Sequence, residues 1–264
     1  MSKVFVGTSG WSYNEWVGTI YPTKSTPKLK QYSTVFSSVE IDSTFYAYPR
    51  KELVQGWIKN TPVGFKFTAK LPKVITHEKK LENSQEDLKK FLDLMQPIQE
   101  VGKLDALLIQ LPPSFRKDSE KTLESFLQIL SSDFKFALEF RDKSWEADDT
   151  KDILSRHGVA NVVTDSPLEL KTEQTADWSF IRFHGRGKQI WFDYRYSQEE
   201  ISKLASRFEQ IKSQSSVVYV YFNNHYGANA VENALQLLEI TTNLTSAQRS
   251  MLNQFKMKSS RFVE

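Results

Sequence analysis

The sequence predicts an α/β protein built as a single TIM-type (β/α)8 barrel, and three observations carry that expectation. Eight apolar runs rich in Val, Ile, Phe and Tyr recur along the chain. Segments of helical period separate them, the alternation expected of a parallel sheet with crossover helices. The chain has 264 residues, 39% of them hydrophobic, which suits one barrel rather than two smaller domains. Residues 1–264 are therefore read as one domain.

The expected strands are VFVGTSG from Val4, SVEIDSTFY from Ser38, FKFTAKLP from Phe65, LDALLIQLPP from Leu104, FKFALEFRD from Phe134, VANVVTDS from Val159, SFIRFHG from Ser179 and VVYVYFNN from Val217. Helix starts lie between them. Thr26 precedes Pro27 at a first helical position, Ser84 with Asp87 and Ser197 with Glu200 have capping-box spacing, and Asp118 opens a fourth helix. Leu88, Phe91, Leu92 and Met95 form an apolar stripe at helical period, as do Leu123, Phe126, Leu127 and Leu130, and Ile201, Leu204, Phe208 and Ile211. After the sixth strand SPLELKTEQTADW reads as loop, so the sixth βα unit is expected to lack a full helix. An extra surface helix is expected at about 244–257.

Charge and cysteine content narrow the chemistry. Lysine and arginine number 35 against 32 acids, a formal charge of +3, far from the imbalance of a protein that coats nucleic acid non-specifically. Cysteine is absent, which removes thiol nucleophiles, disulfides and cysteine-held metal clusters. MSKVFVGTSGW lacks an export signal and no run reaches membrane-spanning length, so a cytoplasmic protein is expected.

In a barrel of this kind the active site lies at the C-terminal strand ends. Side chains alternate along a strand, which puts Glu40, Asp42, Thr44 and Tyr46 on one face of the second. The same parity aligns Lys66, Thr68 and Lys70 on the third, Ala137, Glu139 and Arg141 on the fifth, and Arg182, His184 and Arg186 along the seventh. Gln110, Asp165, Asn223 and Asn224 also fall at strand ends. Some of these charges can serve only to neutralise one another, but a barrel needing stability alone would fill its interior with Val, Ile and Leu.

Two further features point to the same end. HGRGK offers two glycines, for close ligand approach or simply for tight turns, beside Arg186 and Lys188. The helix after FNN offers an N-terminus that favours an anion. Trp11, Tyr13, Trp16, Tyr46, Trp145 and Tyr226 sit in the neighbouring loops, where aromatics can stack on rings or simply pack as a lid.

The blocks GTSGWSYNEWVGTIYP, VEIDSTFYAYP, FKFTAKLPKVITH, LIQLPPSF, ALEFRDKSW, TDSP, IRFHGR and YFNN, in this order, closely resemble the YecE-like family, a barrel family of unknown function. The resemblance implies a TIM-type barrel with its site at these strand ends and supplies no activity. Asp42 departs from the asparagine that the family pattern leads one to expect.

The residues themselves favour an enzyme that binds a small anionic ligand with a stackable ring, such as a nucleotide, a nucleic-acid end or a phosphorylated sugar. Lys70, Arg141, Arg182 and Arg186 would hold charge while Glu40, Glu139 or His184 moves a proton, in hydrolase or isomerase chemistry. Trp11, Tyr46, Gln110, Trp145, Asp165, Asn223 and Asn224 complete the expected binding set. No cofactor and no metal is expected, because no two histidines have ligand spacing. Two alternatives stand beside this reading: a metal-dependent hydrolase or isomerase using Glu40, Glu139, Asp165 and His184, and a non-catalytic module that binds nucleic acid or a protein partner.

Overall fold

The computed structural model describes residues 2–168 and 170–260. Among the described residues there are nine strands: β1 (Lys3–Thr8), β2 (Ser38–Ile41), β3 (Lys66–Lys70), β4 (Leu104–Gln110), β5 (Phe136–Glu139), β6 (Ala160–Asn161), β7 (Val163–Asp165), β8 (Ser179–Phe183) and β9 (Val217–Phe222). Helices α1 (Lys28–Tyr32), α2 (Lys51–Lys59), α3 (Gln85–Glu100), α4 (Glu120–Leu127), α5 (Asp148–Arg156), α6 (Gln198–Ser213), α7 (Asn229–Thr241) and α8 (Ser246–Ser260) run between and after them. Every strand pairing is parallel. The pairings form two sheets, β1-β9-β8-β7 and β2-β3-β4-β5-β6.

The ladder of hydrogen bonds does not close into a barrel and is interrupted at two places. The sixth expected strand is divided at Val162, so that β6 pairs with β5 while β7 pairs with β8. Between β1 and β2 a single bridge, Ser9 to Glu40, stands where a ladder was expected. Tyr32 of α1 inserts its hydroxyl into that seam, accepting from the Thr8 N–H at 2.9 Å and donating to the Ser38 carbonyl at 3.1 Å. Gly7 faces the same carbonyl so closely that a Cβ would lie 2.1 Å from it. Any side chain there would push the two strands apart.

Strand alternation divides the apolar residues between two cores. Val39, Phe67, Leu107, Leu138, Ile181 and Val220 face the helices and join Phe91, Leu123, Ile153, Ile201 and Leu235. Ala106, Leu108, Ala137, Phe180, Tyr219 and Tyr221 form a second cluster, drawn from both sheets. Each fully buried Leu, Ile or Phe adds about 1.5–3 kcal/mol of burial free energy. Higher along the same inward-facing rows the side chains turn polar.

Of the four expected helix starts only Ser197 forms a capping box, accepting from the Glu200 N–H while the Glu200 carboxylate accepts from its own. The Thr26 hydroxyl engages Thr23 instead and α1 begins at Lys28 behind Pro27. Ser84 donates to the Leu81 carbonyl, and Asp87 is held by Lys79 and Tyr48. Asp118 lies in a single 3-10 turn ahead of α4. Among the described residues the sixth connection carries no helix. No helix among them is long and apolar enough to cross a membrane.

Candidate functional site

Polar side chains converge at the C-terminal strand ends because the inward-facing row of several strands finishes on one. Gln110 and Glu139 end β4 and β5 in register, and Gln110 Nε2 donates to Glu139 Oε1 at 2.8 Å. Arg182 of β8 spans the two sheets, donating through Nη1 to Glu139 Oε2 and through Nη2 to Glu40 Oε1, both at 2.7 Å. Ser9 Oγ donates to the same Glu40 oxygen at 2.7 Å. All three charged groups are buried. Such a triad survives out of water only because each charge has an opposite one in contact.

Two atoms in it remain unpartnered: Glu40 Oε2 and Arg182 Nε are buried and make no hydrogen bond. The two carboxylates therefore differ. Burial raises Glu40 above the usual carboxylate range against the pull of Arg182, and Asp42 raises it further. Burial acts on Glu139 in the same direction, but Arg141, Arg182 and His184 outweigh it and hold Glu139 well below that range. Glu139 is thus held as an anion, whereas Glu40 is shifted toward its protonated form.

His184 follows β8 and is fully buried, with Nε2 placed 3.1 Å from Glu139 Oε1 and 3.2 Å from Arg141 Nη2. Its Nδ1 lies 3.0 Å from Asn223 Nδ2. Burial first, then Arg141, push it down to about 3, so the ring is neutral near pH 7. A neutral ring carries one N–H. Either Nε2–H donates to Glu139 and Nδ1 accepts from Asn223, or Nε2 accepts from Arg141 and Nδ1–H donates to a reversed Asn223 amide.

The mouth of the cluster is cationic. Arg141 Nε sits 2.5 Å from Glu139 Oε1 but off the hydrogen-bonding direction, so that contact is ionic, and the guanidinium lies 5.5 Å from the Trp191 ring centroid. Lys70 Nζ lies 3.9 Å over the Phe45 ring and 3.4 Å from Asp42. Among the described residues neither Arg141 Nη1 nor Lys70 Nζ donates a hydrogen bond, Lys70 keeping only its ion pair with Asp42. Burial lowers both cations from their ordinary values, with Asp42 opposing it for Lys70 and Glu139 for Arg141. His77 stands beside them in a π-helical turn, Val74–Glu78. Burial, Lys70 and Arg141 together push it down to about 4.

The remaining expected residues are placed differently. Asp165 and Arg186 face each other, the guanidinium donating through Nε at 3.1 Å and Nη2 at 2.6 Å, with the Tyr196 hydroxyl 2.8 Å from the same carboxylate. The glycines of HGRGK make room for their own loop: a Cβ on Gly187 would lie 2.0 Å from the Ile190 carbonyl and one on Gly185 2.5 Å from that of Trp191. The first turn of α7 already holds a carboxylate, Glu232, bound by both arms of Arg195. Asn224 is buried and donates to Tyr194 O and Asn233 Oδ1. Trp145 is a correction to the expected binding set. It is buried, stacked between Phe115 and Phe140, and donates its indole N–H to the Phe115 carbonyl.

Tyr46 is 69% exposed, and Trp11 packs edge to face on Trp57. Strand β2 ends at Ile41 and the chain turns through Ser43–Phe45, so Asp42, Thr44 and Tyr46 do not continue the Glu40 row. Lys66 pairs with Asp105 near the opposite strand ends. The four carboxylate and imidazole groups of the metal alternative are not assembled, since Arg182 stands between Glu40 and Glu139 and Arg186 occupies Asp165. Among the described residues no three His, Asp or Glu gather in a manner able to hold a metal.

Sequence reasoning missed Ser9, Phe45, His77, Trp191 and Phe192. His77 lies within the FKFTAKLPKVITH block, but only the π-helical turn brings it back toward Lys70. Trp191 and Phe192 lie beyond the glycines, and the tight return of that loop carries them over Arg141 and toward His184. Tyr13 stacks on His225 at 4.4 Å and closes the other side of the mouth.

Residues 5–255 match the family model described as "Protein of unknown function DUF72". UPF0759 protein YunF of Bacillus subtilis (strain 168) is 30% identical over 270 aligned positions, covering 90% of this chain and 94% of the relative. UPF0759 protein YecE of Escherichia coli (strain K12) is 28% identical over 168, covering 62% of this chain and 59% of the relative. The crystal structure of a DUF72 family protein from Thermotoga maritima MSB8 superposes with a TM-score of 0.81 at 33% identity, covering 90% of this chain and 98% of that one. One from Enterococcus faecalis V583 superposes at 0.80 and 25%, covering 90% and 95%. By sequence along nearly its whole length, and by structure with it, the chain belongs to the DUF72 (UPF0759, YecE-like) family.

Proposed function

We propose that the protein is an enzyme that binds a small phosphorylated or otherwise anionic ligand at these strand ends and moves a proton with Glu40. One observation carries the reading: Lys70 and Arg141 both stand at the strand ends, close enough to His77 to lower it, largely withdrawn from water, and among the described residues Lys70 Nζ and Arg141 Nη1 make no hydrogen bond beyond the ion pairs to Asp42 and Glu139. An anion between them would relieve the burial cost of both cations. Arg182, by contrast, is bound through both Nη atoms to Glu139 and Glu40, and Arg186 through Nε and Nη2 to Asp165. We therefore assign the anion to Lys70 and Arg141 rather than to the HGRGK loop and the start of α7.

Glu40 is the proton carrier in this reading because, unlike Glu139, it is raised and keeps an oxygen without a hydrogen bond. Glu139 orients Arg141, Arg182 and His184. The neutral His184 offers a fixed dipole, and Tyr13, Tyr46, Trp191 and Phe192 supply faces for a ring. We take the two sheets as two arcs of one TIM-type barrel in one domain, since Arg182 and the inner apolar cluster tie them together.

Titration calorimetry tests this with AMP and glucose 6-phosphate against adenosine and glucose. The phosphorylated compounds are expected to bind and the neutral ones to bind far more weakly. Lys70→Met and Arg141→Met should each weaken the phosphorylated ligand by about 1.5–3 kcal/mol, one lost charge-assisted contact. Equal affinity for neutral and phosphorylated compounds would overturn the reading.

A further inference from the structure

Gly56 stands inside α2 with no packing reason to be glycine. Its φ is not left-handed, and a Cβ built on it meets nothing within 4 Å. Alanine there would fit and would stabilise the helix. The bare position instead leaves open the floor of a groove of 470 Å³.

Trp11, Trp57, Leu29 and Leu53 line that groove, with Lys28 and Lys30 on its rim. Leu53 is 48% exposed, although a leucine gains most when covered. The two indoles meet edge to face at 6.1 Å. Lys28 donates to the Ser12 carbonyl and the Asn14 side-chain oxygen, both neutral, so the rim keeps its positive charge.

Two chain neighbours connect the groove to the strand-end cluster. Ser43 lines it and follows Asp42, whose carboxylate is 3.4 Å from Lys70 Nζ. Trp11 lines it and follows Gly10, whose N–H donates to the Glu40 carbonyl at 2.8 Å.

We propose that this groove is a second subsite, which takes a planar, purine-sized ring of the same ligand whose anionic group lies at Lys70 and Arg141. The inference rests on that anion reading and extends it: the substrate class becomes a nucleotide-like molecule, anionic at one end and ring-bearing at the other. A flat heteroaromatic ring suits walls of indole and leucine with few polar groups, and the lysine rim suits an anionic ligand over a cationic one.

Gly56→Leu provides the test, because its side chain enters the groove from a helix position that has room for it and leaves the strand-end residues untouched. Calorimetry with AMP, adenosine and inorganic phosphate reads ring and anion separately. Expected for Gly56→Leu are at least tenfold weaker AMP and adenosine binding, unchanged phosphate binding and a Tm no lower than that of wild type. AMP and adenosine affinities equal to those of wild type would overturn the subsite, as would a wild type that binds AMP no better than phosphate. If phosphate fails to bind wild type while adenosine binds in a Gly56-dependent way, the anion reading falls and the groove stands.

Discussion

Arg182 holds two carboxylates from the other sheet, and its removal would leave both Glu40 and Glu139 short of a counter-charge. Arg182→Met is expected to cost about 3–5 kcal/mol, measured by urea unfolding, since stranding a buried charge is more expensive than losing a surface pair. The neighbouring groups give a pH dependence of definite sign. His184 is pushed from 6.5 to about 3, so below pH 6.5 the unfolded chain takes up a proton that the folded chain refuses. Stability is thus complete above pH 6.5 and declines toward pH 3, at about 1.4 kcal/mol per pH unit from this residue. His77 adds a smaller decline with the same sign, because it is only half-buried. Glu139, held low, adds a further loss below pH 4.5, while Glu40, raised, opposes it by protonating first in the folded state. His184→Gln should flatten the stability curve between pH 6.5 and 4 by about one proton; an unchanged slope would show that the ring is not held neutral. Parity in the sequence was enough to bring Glu139, Arg141, Arg182 and His184 to one place. It was not enough to say which carboxylate would be saturated, because that depends on Arg141 curling back onto its own strand end and on contacts between strands.

Tyr32 shows what the level of whole elements adds. One hydroxyl on α1 serves a buried N–H of β1 and a buried carbonyl of β2, so Tyr32→Phe should cost about 1–3 kcal/mol and speed hydrogen exchange at Thr8. No loss would mean that the two backbone groups find other partners. Ser197→Ala, which removes half of the capping box of α6, is expected to cost about 1 kcal/mol in thermal unfolding. The eight apolar runs and the missing sixth helix were legible because they rest on periodicity and composition over many residues. The seam at Tyr32 and the break at Val162 were not, since each is set by neighbours far along the chain. The other helix-start motifs failed for a related reason: Ser84 and Asp87 have the right spacing, but tertiary partners at Leu81, Lys79 and Tyr48 claim their side chains. Asp42 and Tyr46 left the Glu40 row because alternation holds only while the backbone stays extended, and it stops at Ile41.

Across the molecule, the inward-facing rows are apolar at mid-strand and charged at the C-terminal ends, and the charges there are unevenly spent. Arg182 and Arg186 each bind carboxylates through two nitrogens, whereas among the described residues Lys70 Nζ and Arg141 Nη1 make no hydrogen bond, with the Phe45 ring beside Lys70 and the Trp191 ring beside Arg141. The sequence placed cations at this end and pointed to the HGRGK loop and the helix after FNN for an anion, since glycine spacing is visible in a sequence and the Asp165–Arg186 pair is not. Crystals of the protein grown with AMP at high concentration test the central claim most directly. Phosphate oxygens are expected within hydrogen-bonding distance of Lys70 Nζ and Arg141 Nη1. A phosphate seated instead at Arg186 and Lys188, or no anion at the strand ends at all, would contradict it.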